Sequence, residues 1–550
     1  MKLYHFFLAL AAALLFLLGA FTAGPFLEKI NRQDAATAAK VVGLDFTTAE
    51  IDSLLPTLGE YRESYQDIRQ QNIPNALSPA LQLNPLPANF QIPTGPDGIH
   101  IDLPETKLPA NRAELAFYTV RQLAALLRSR QITSLELTEF FLARLKKYDP
   151  TLHCVITLTE DLAKEQARQA DAEIAAGKFR SLVHGIPYGA KDLLATKNYK
   201  TTWGATPYQD QMIDENAVVI EKLADAGAVL VAKLTLGALA WGDVWFGGMT
   251  RNPWNPETGS SGSSAGSASA VAGGLVPFAI GTETLGSIVS PSTVCGTTGL
   301  RPTYGRVSRK GAMALSWSMD KIGPLTRSAE DALIVLDIIR GTDGHDIRQD
   351  IPLDYRSLDA TNRKLRIGYL AKDFARNYPF KAQDSLALLA LRQLGYELVP
   401  LELPKMPPIG FILEAEAAAA FDQLTLTNQD DELVRQIKNA WPNVFRAARY
   451  IPAVEYIQAN RLRTQLIEDM EVALSDVDLY VHPSWASQSL RITNFTGHPC
   501  LVLPNGFREN GLPTSITLTG QLYEEGKLVA VGQAFQDATN WDEQHPELQP

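Results

Sequence analysis

Gly259-Ser-Ser-Gly-Ser-Ser-Ala-Gly-Ser-Ala-Ser-Ala-Val-Ala-Gly-Gly-Leu-Val-Pro-Phe-Ala-Ile-Gly-Thr-Glu-Thr-Leu-Gly-Ser-Ile-Val-Ser-Pro-Ser292 is too rich in small residues for an ordinary core and too apolar for a linker. A flexible Gly/Ser linker would have no reason to run into Val271, Leu275, Val276, Phe278 and Ile280. Small residues here let one backbone approach another closely. Several serines then sit where backbone N–H groups are dense. Acyl transfer needs that combination: a hydroxyl nucleophile beside preorganised donors for an oxyanion.

Outward from this stretch, β-like runs alternate with helices. Ala228-Val-Leu-Val-Ala232 follows a helical pattern from Ala217 to Ala226 and reads as a buried strand. Leu365–Leu370, Leu479–Val481, Pro499–Pro504 and Ser515–Leu518 read as further strands. Thr119 is placed to cap one helix, and Thr133-Ser-Leu-Glu136 is a capping box for the next. Leu162 to Ala176 reads as a charged amphipathic helix, and Glu414 to Met470 as a mostly helical cover. The expected fold class is α/β with a central mixed sheet.

The chain has 550 residues, 45% hydrophobic and 20% charged, which excludes a disordered protein. A net charge of −11 argues against nucleic-acid binding over a broad basic face. Cys154, Cys295 and Cys500 are too far apart for a metal-ligand motif, and the eight histidines show no His-Glu-x-x-His. No metal or cofactor is expected. Lys2 and His5 precede an apolar run from Phe6 to Ala23, which reads as a secretory signal or an uncleaved anchor. The expected organisation is residues 1–23 as that signal, 24–105 as an accessory helical and Pro-rich segment, and 106–550 as the catalytic domain.

Three chemistries compete for the serines. A phosphate loop needs Gly-x-x-x-x-Gly-Lys, and no lysine lies between Lys233 and Lys310. A nucleophile elbow matches Gly262-Ser-Ser-Ala-Gly266 with Ser264 at its centre. That motif requires a buried strand before it, whereas Arg251 to Ser260 reads as loop. Asp478 and His482 or His498 would be its nominal partners. The third pairs two serines with a lysine.

Gly185-Ile-Pro-Tyr-Gly-Ala-Lys-Asp192, the Gly259 stretch, Gly281-Thr-Glu-Thr-Leu-Gly-Ser-Ile288, Cys295-Gly-Thr-Thr-Gly-Leu-Arg-Pro-Thr-Tyr-Gly-Arg306 and Asp320-Lys-Ile-Gly-Pro-Leu-Thr-Arg327 resemble, in this order, the amidase signature family. The resemblance runs from about Phe117 to the C-terminus. It implies the amidase-signature fold, with helices on both faces of the sheet, and hydrolysis of a carboxamide C–N bond through an acyl-serine. It implies Lys191 as base, Ser263 as a bridging serine held through a cis peptide, and Ser287 as nucleophile. Backbone N–H groups of Thr284, Leu285, Gly286 and Ser287 would form the oxyanion hole. The implied partner is a small-molecule or peptide amide, with no nucleic acid and no membrane contact except through residues 6–23.

The chain departs from that pattern at Leu285, where the family usually has Gly, at Glu283 for Asp, and at Val289 for Arg. Gly237-Ala238 also differs. Leu285 is expected to narrow the region beside Ser287 or to divert the backbone. These changes keep open a weakened enzyme, or a binding protein that has lost turnover. The same signature also serves glutamyl-tRNA amidotransferase-like subunits. Trp241, Trp245 and Phe246 suit either aromatic core packing or a pocket lining.

Overall fold

The computed structural model describes residues 29–71, 73–341, 343, 350–356 and 365–549. The apolar run Phe6 to Ala23 lies outside the described residues. Among the described residues, no helix is long and apolar enough to cross a membrane.

The described chain divides into two compact units, one ending at Ile73 and one beginning at Pro74. The accessory segment read as 24–105 is therefore split between them. The smaller unit holds helices Arg32–Val41 and Thr48–Arg69, each opened by a capping box, Asn31 with Asp34 and Thr47 with Glu50. The larger unit begins with a non-helical arm, where Pro74, Pro79, Pro85 and Pro87 forbid regular backbone donors.

The larger unit is built on one sheet of eleven strands. In chain order they are β1 (Val155–Leu158), β2 (Pro187–Lys191), β3 (Val229–Leu234), β4 (Phe278–Glu283), β5 (Thr298–Arg301) and β6 (Lys321–Thr326). β7 (Arg366–Tyr369), β8 (Glu397–Pro400), β9 (Leu479–Pro483), β10 (Cys500–Phe507) and β11 (Pro513–Gly520) complete it. The spatial order is β8-β7-β9-β11-β10-β5-β6-β4-β2-β3-β1. β2 runs parallel to β3 and β4, and β7 to β8 and β9, while the other pairs are antiparallel. The sheet is therefore mixed.

Period-two alternation shows that helices cover both faces. On β10, Cys500 and Val502 cluster with Val289 of helix Val289–Cys295. Their neighbours Leu501 and Leu503 meet Gly532 of helix Glu525–Thr539. Thr119 with Gln122 and Thr133 with Glu136 form the expected capping boxes, opening helices Val120–Arg128 and Ser134–Leu152.

The small residues of the opening stretch do what their size allows. All eight residues of helix Ala265–Ala272 are buried. A Cβ on Gly266 would lie 2.4 Å from the carbonyl oxygen of Cys154 and 2.5 Å from the backbone nitrogen of Thr235. No side chain fits there, so the helix can press onto the end of β3 only with Gly at this position.

Candidate active site

Lys191 is the last residue of β2, inside the sheet, and is fully buried. Its Nζ lies 2.8 Å from Ser263 Oγ, 2.8 Å from Thr282 Oγ1, 3.1 Å from Ser264 Oγ and 3.5 Å from the Thr282 carbonyl oxygen. Every partner is a neutral oxygen. Asp192, next in sequence, turns to Lys233 Nζ at 2.7 Å and accepts the N–H and hydroxyl of Thr202. Burial therefore drives the Lys191 amine well below the usual lysine range, and Asp320 and Glu283 only partly oppose it. A neutral amine keeps a lone pair, so it can accept a proton from a serine hydroxyl.

Ser263 follows a cis peptide bond from Gly262 and is 1% exposed. The backbone N–H of Ser264 donates to the carbonyl of Ser287 at 3.1 Å. That bond sets the lysine's serine pair against the loop carrying Ser287, itself 9% exposed. Ser264 is engaged otherwise: its hydroxyl donates to the Thr282 carbonyl at 3.0 Å and accepts the Thr282 N–H at 3.1 Å. His482 contacts Ser489, Thr519 and the Pro483 carbonyl, and His498 contacts Thr496. Asp478 accepts from Arg366 N. None of these reaches Ser264, so the elbow constellation is not assembled.

The loop after β4 is shaped by Glu283. One carboxylate oxygen accepts the N–H groups of Ile288 and Val289 at 2.9 and 3.0 Å. The other meets Arg301 at 2.6 Å and Asn494 at 2.8 Å. Burial would raise this carboxyl, but Arg301, Lys321 and the Val289 N–H outweigh it and hold it at about 2. Among the described residues, the backbone N–H groups of Thr284, Leu285, Gly286 and Ser287 have no hydrogen-bond acceptor. The Thr284 hydroxyl donates to Asp320 at 2.6 Å, and Asp320 also accepts from Leu315 N and Ser316 N.

A cavity of about 460 Å³ opens on this face of the sheet. Thr282, Thr284, Asp320 and Ile322 line it, so it reaches both the lysine's threonine and the start of the loop. Lys191, Ser263 and Ser287 are not among its walls. Nor are Trp241, Trp245 and Phe246. Trp241 packs edge-on against Trp441, and Trp245 against Phe246. Among the described residues, no cluster of His, Cys, Asp and Glu could hold a metal.

A model of the family described as Amidase matches residues 136–496, more than half of the chain. The chain belongs to the amidase family. It is an enzyme of a family that acts on amide C–N bonds. A glutamyl-tRNA(Gln) amidotransferase subunit of Chloroflexus aurantiacus is 35% identical over 79% of this chain and 99% of its own length. The corresponding subunit of Coxiella burnetii is 32% identical over 78% and 99%. Native peptide amidase from Stenotrophomonas maltophilia has 30% identity and a TM-score of 0.67, covering 77% of this chain and 97% of its own.

Within this amidase, Leu285 sits in ordinary backbone conformation. It is not among the residues with positive φ; that conformation falls on Gly286, at 95°. The leucine side chain packs against a cluster containing Met319, Ile412 and Ile492. The turn therefore takes its left-handed conformation at glycine and places no such strain on the leucine. Sequence reasoning missed Thr282, Asp320 and the Glu283 partners Arg301 and Asn494. The alternation Thr282-Glu283-Thr284 carried part of the signal, since a strand puts two hydroxyls on one face and the carboxylate on the other.

Proposed function

We propose that this amidase hydrolyses a carboxamide through an acyl-Ser287 intermediate, with Lys191 as base and Ser263 as proton relay. The observation that carries the reading is a buried lysine with no carboxylate partner, 2.8 Å from the hydroxyl of Ser263. Ser287 Oγ attacks the carbonyl carbon, and its proton passes through Ser263 to the Lys191 amine. The free N–H groups of Thr284 to Ser287 stabilise the oxyanion, which costs no reorganisation at the moment of reaction. As the C–N bond breaks, Lys191 returns the proton through Ser263 to the departing nitrogen, since an amide nitrogen leaves poorly without one. Water activated along the same route then cleaves the ester and releases the acid.

The test is labelling with a fluorophosphonate and turnover of aryl and peptide amides. Both are expected to vanish in Ser287→Ala and to survive in Ser264→Ala. Retained labelling in Ser287→Ala sinks the assignment. An inert wild type with an intact fold would favour a binding protein. A second reading, a component of an amidotransferase complex, is favoured by the names of the relatives at 32–35% identity. The net charge of −11 and the apolar run Phe6 to Ala23, which supports export, weigh against it. Recovery from the cytosol in complex with tRNA and a second protein would reverse that preference.

A further inference from the structure

The cavity beside the catalytic residues is not built by the matched family segment alone. Ala76, Leu77, Ser78 and Gln82 of the Pro-rich arm line it together with Thr284 and Asp320. These arm residues lie upstream of residues 136–496, where the family model matches. The arm is fixed in place. Asn75 uses its side-chain amide as a short strand: Nδ2 donates to the Ala314 carbonyl at 2.8 Å, and Oδ1 accepts the Ala314 N–H at 2.8 Å. The same Nδ2 also reaches the Ala420 carbonyl at 3.2 Å. Further along, the Ala88 N–H donates to Glu468 at 2.9 Å. Three separate parts of the fold thus hold the arm, and Ala314 does so within the cavity wall.

The wall chemistry is two-sided. Leu77, Leu193, Met313, Ile322 and Trp317 supply apolar surface, Thr282, Thr284 and Asp320 supply polar atoms next to the lysine and the loop of free N–H groups, and Glu215, Arg309, Lys310 and Lys321 add charged groups to the lining. Leu77 is 62% exposed although it lines the cavity, so it has apolar surface left to cover. A substrate with its reacting amide at the polar end would lay an apolar group against the arm.

We propose that residues 75–82 form a specificity-determining wall of the substrate site, and that the site takes carboxamides carrying an apolar group whose length the arm limits. This rests on the acyl-Ser287 reading, so the test separates the two. Ser78→Trp and Leu77→Ala change the bulk of the wall, and Asn75→Ala cuts its clamp. Each is compared with wild type over two series of amides, one lengthened on the acyl side and one on the amine side. Labelling of Ser287 by a small fluorophosphonate is followed in parallel.

Ser78→Trp is expected to lower the long-to-short ratio of kcat/KM by about tenfold in one series, and Leu77→Ala to move it the other way. Asn75→Ala is expected to raise KM for the long members more than for the short. Should Ser78→Trp fail to fold, the other two variants carry the comparison. Ratios that stay at the wild-type value in both series, or rates that fall equally for all lengths, overturn the proposal. A wild type that is neither labelled nor active overturns the acyl-serine reading instead.

Discussion

Replacing Lys191 by methionine tests the neutral-lysine argument through stability as well as rate. In the folded chain, burial holds this amine well below its ordinary value, whereas in the unfolded chain it titrates near ~10.4. Between those two pH values the unfolded state binds one more proton than the folded state. Wild-type stability therefore falls with falling pH through that window, by about 1.4 kcal/mol per pH unit for this one group. The methionine variant lacks the group and the slope. The difference in unfolding free energy, variant minus wild type, should widen at that rate as pH drops from ~10, then stop widening at the folded-state value. Denaturant unfolding of both proteins at half-unit pH steps measures it, and the subtraction cancels every other titrating side chain. The same proton governs catalysis, because only the unprotonated amine can serve as base. Wild-type kcat/KM should rise with pH and level off, with its midpoint where the stability gap stops widening. A gap that stays constant from pH 10 to pH 7, or a methionine variant that keeps its turnover, refutes the reasoning.

Glu283→Gln should lose the clamp on Ile288 and Val289 and leave Arg301 buried without its carboxylate, costing about 3–5 kcal/mol in denaturant unfolding. In the wild type, a carboxyl held at about 2 rather than 4.5 contributes about 3 kcal/mol that is fully present above pH ~4.5 and lost as pH falls toward 2. Acid unfolding of the glutamine variant should lack that limb, and an unchanged acid limb would remove Glu283 from the account. Leu285→Ala should cost about 1–2 kcal/mol, since the side chain is only partly buried in its cluster, with fluorophosphonate labelling retained. Faster labelling at unchanged stability would instead mean that the leucine constricts the nucleophile.

Much of the periphery was legible because its signals are local. Capping boxes at Thr119 and Thr133 announce their helices two or three residues away, and the apolar runs at Val229, Leu479 and Ser515 announce buried strands. Lys191, Ser263 and Ser287 were legible only as a set, by resemblance, because nothing in the sequence around Lys191 shows that its amine lies 2.8 Å from the Ser263 hydroxyl. The strands that carry Lys191 and lead into the Ser287 loop were not read as strands at all. β4 carries Gly281, and β6 carries Gly323 and Pro324. A proline in a strand hydrogen-bonded on both sides contradicts the usual rule for a sheet interior.

The reason lies in what those positions must admit. Gly281 and Gly323 face each other in register across β4 and β6. A Cβ on Gly281 would sit 2.7 Å from Ser264 Oγ, and one on Gly323 would sit 2.1 Å from the Leu300 carbonyl oxygen. The bare backbone at Gly281 lets Ser264 come down onto the N–H and carbonyl of Thr282, and Ser263 arrives beside Lys191 with it. Strand propensity is a statement about side chains that pack on a pleated surface. Here the surface is left without them so that the Ser264 side chain at Gly281 and the Leu300 carbonyl at Gly323 can occupy the space. The feature that assembles the site is thus the same one that erases its strand signal.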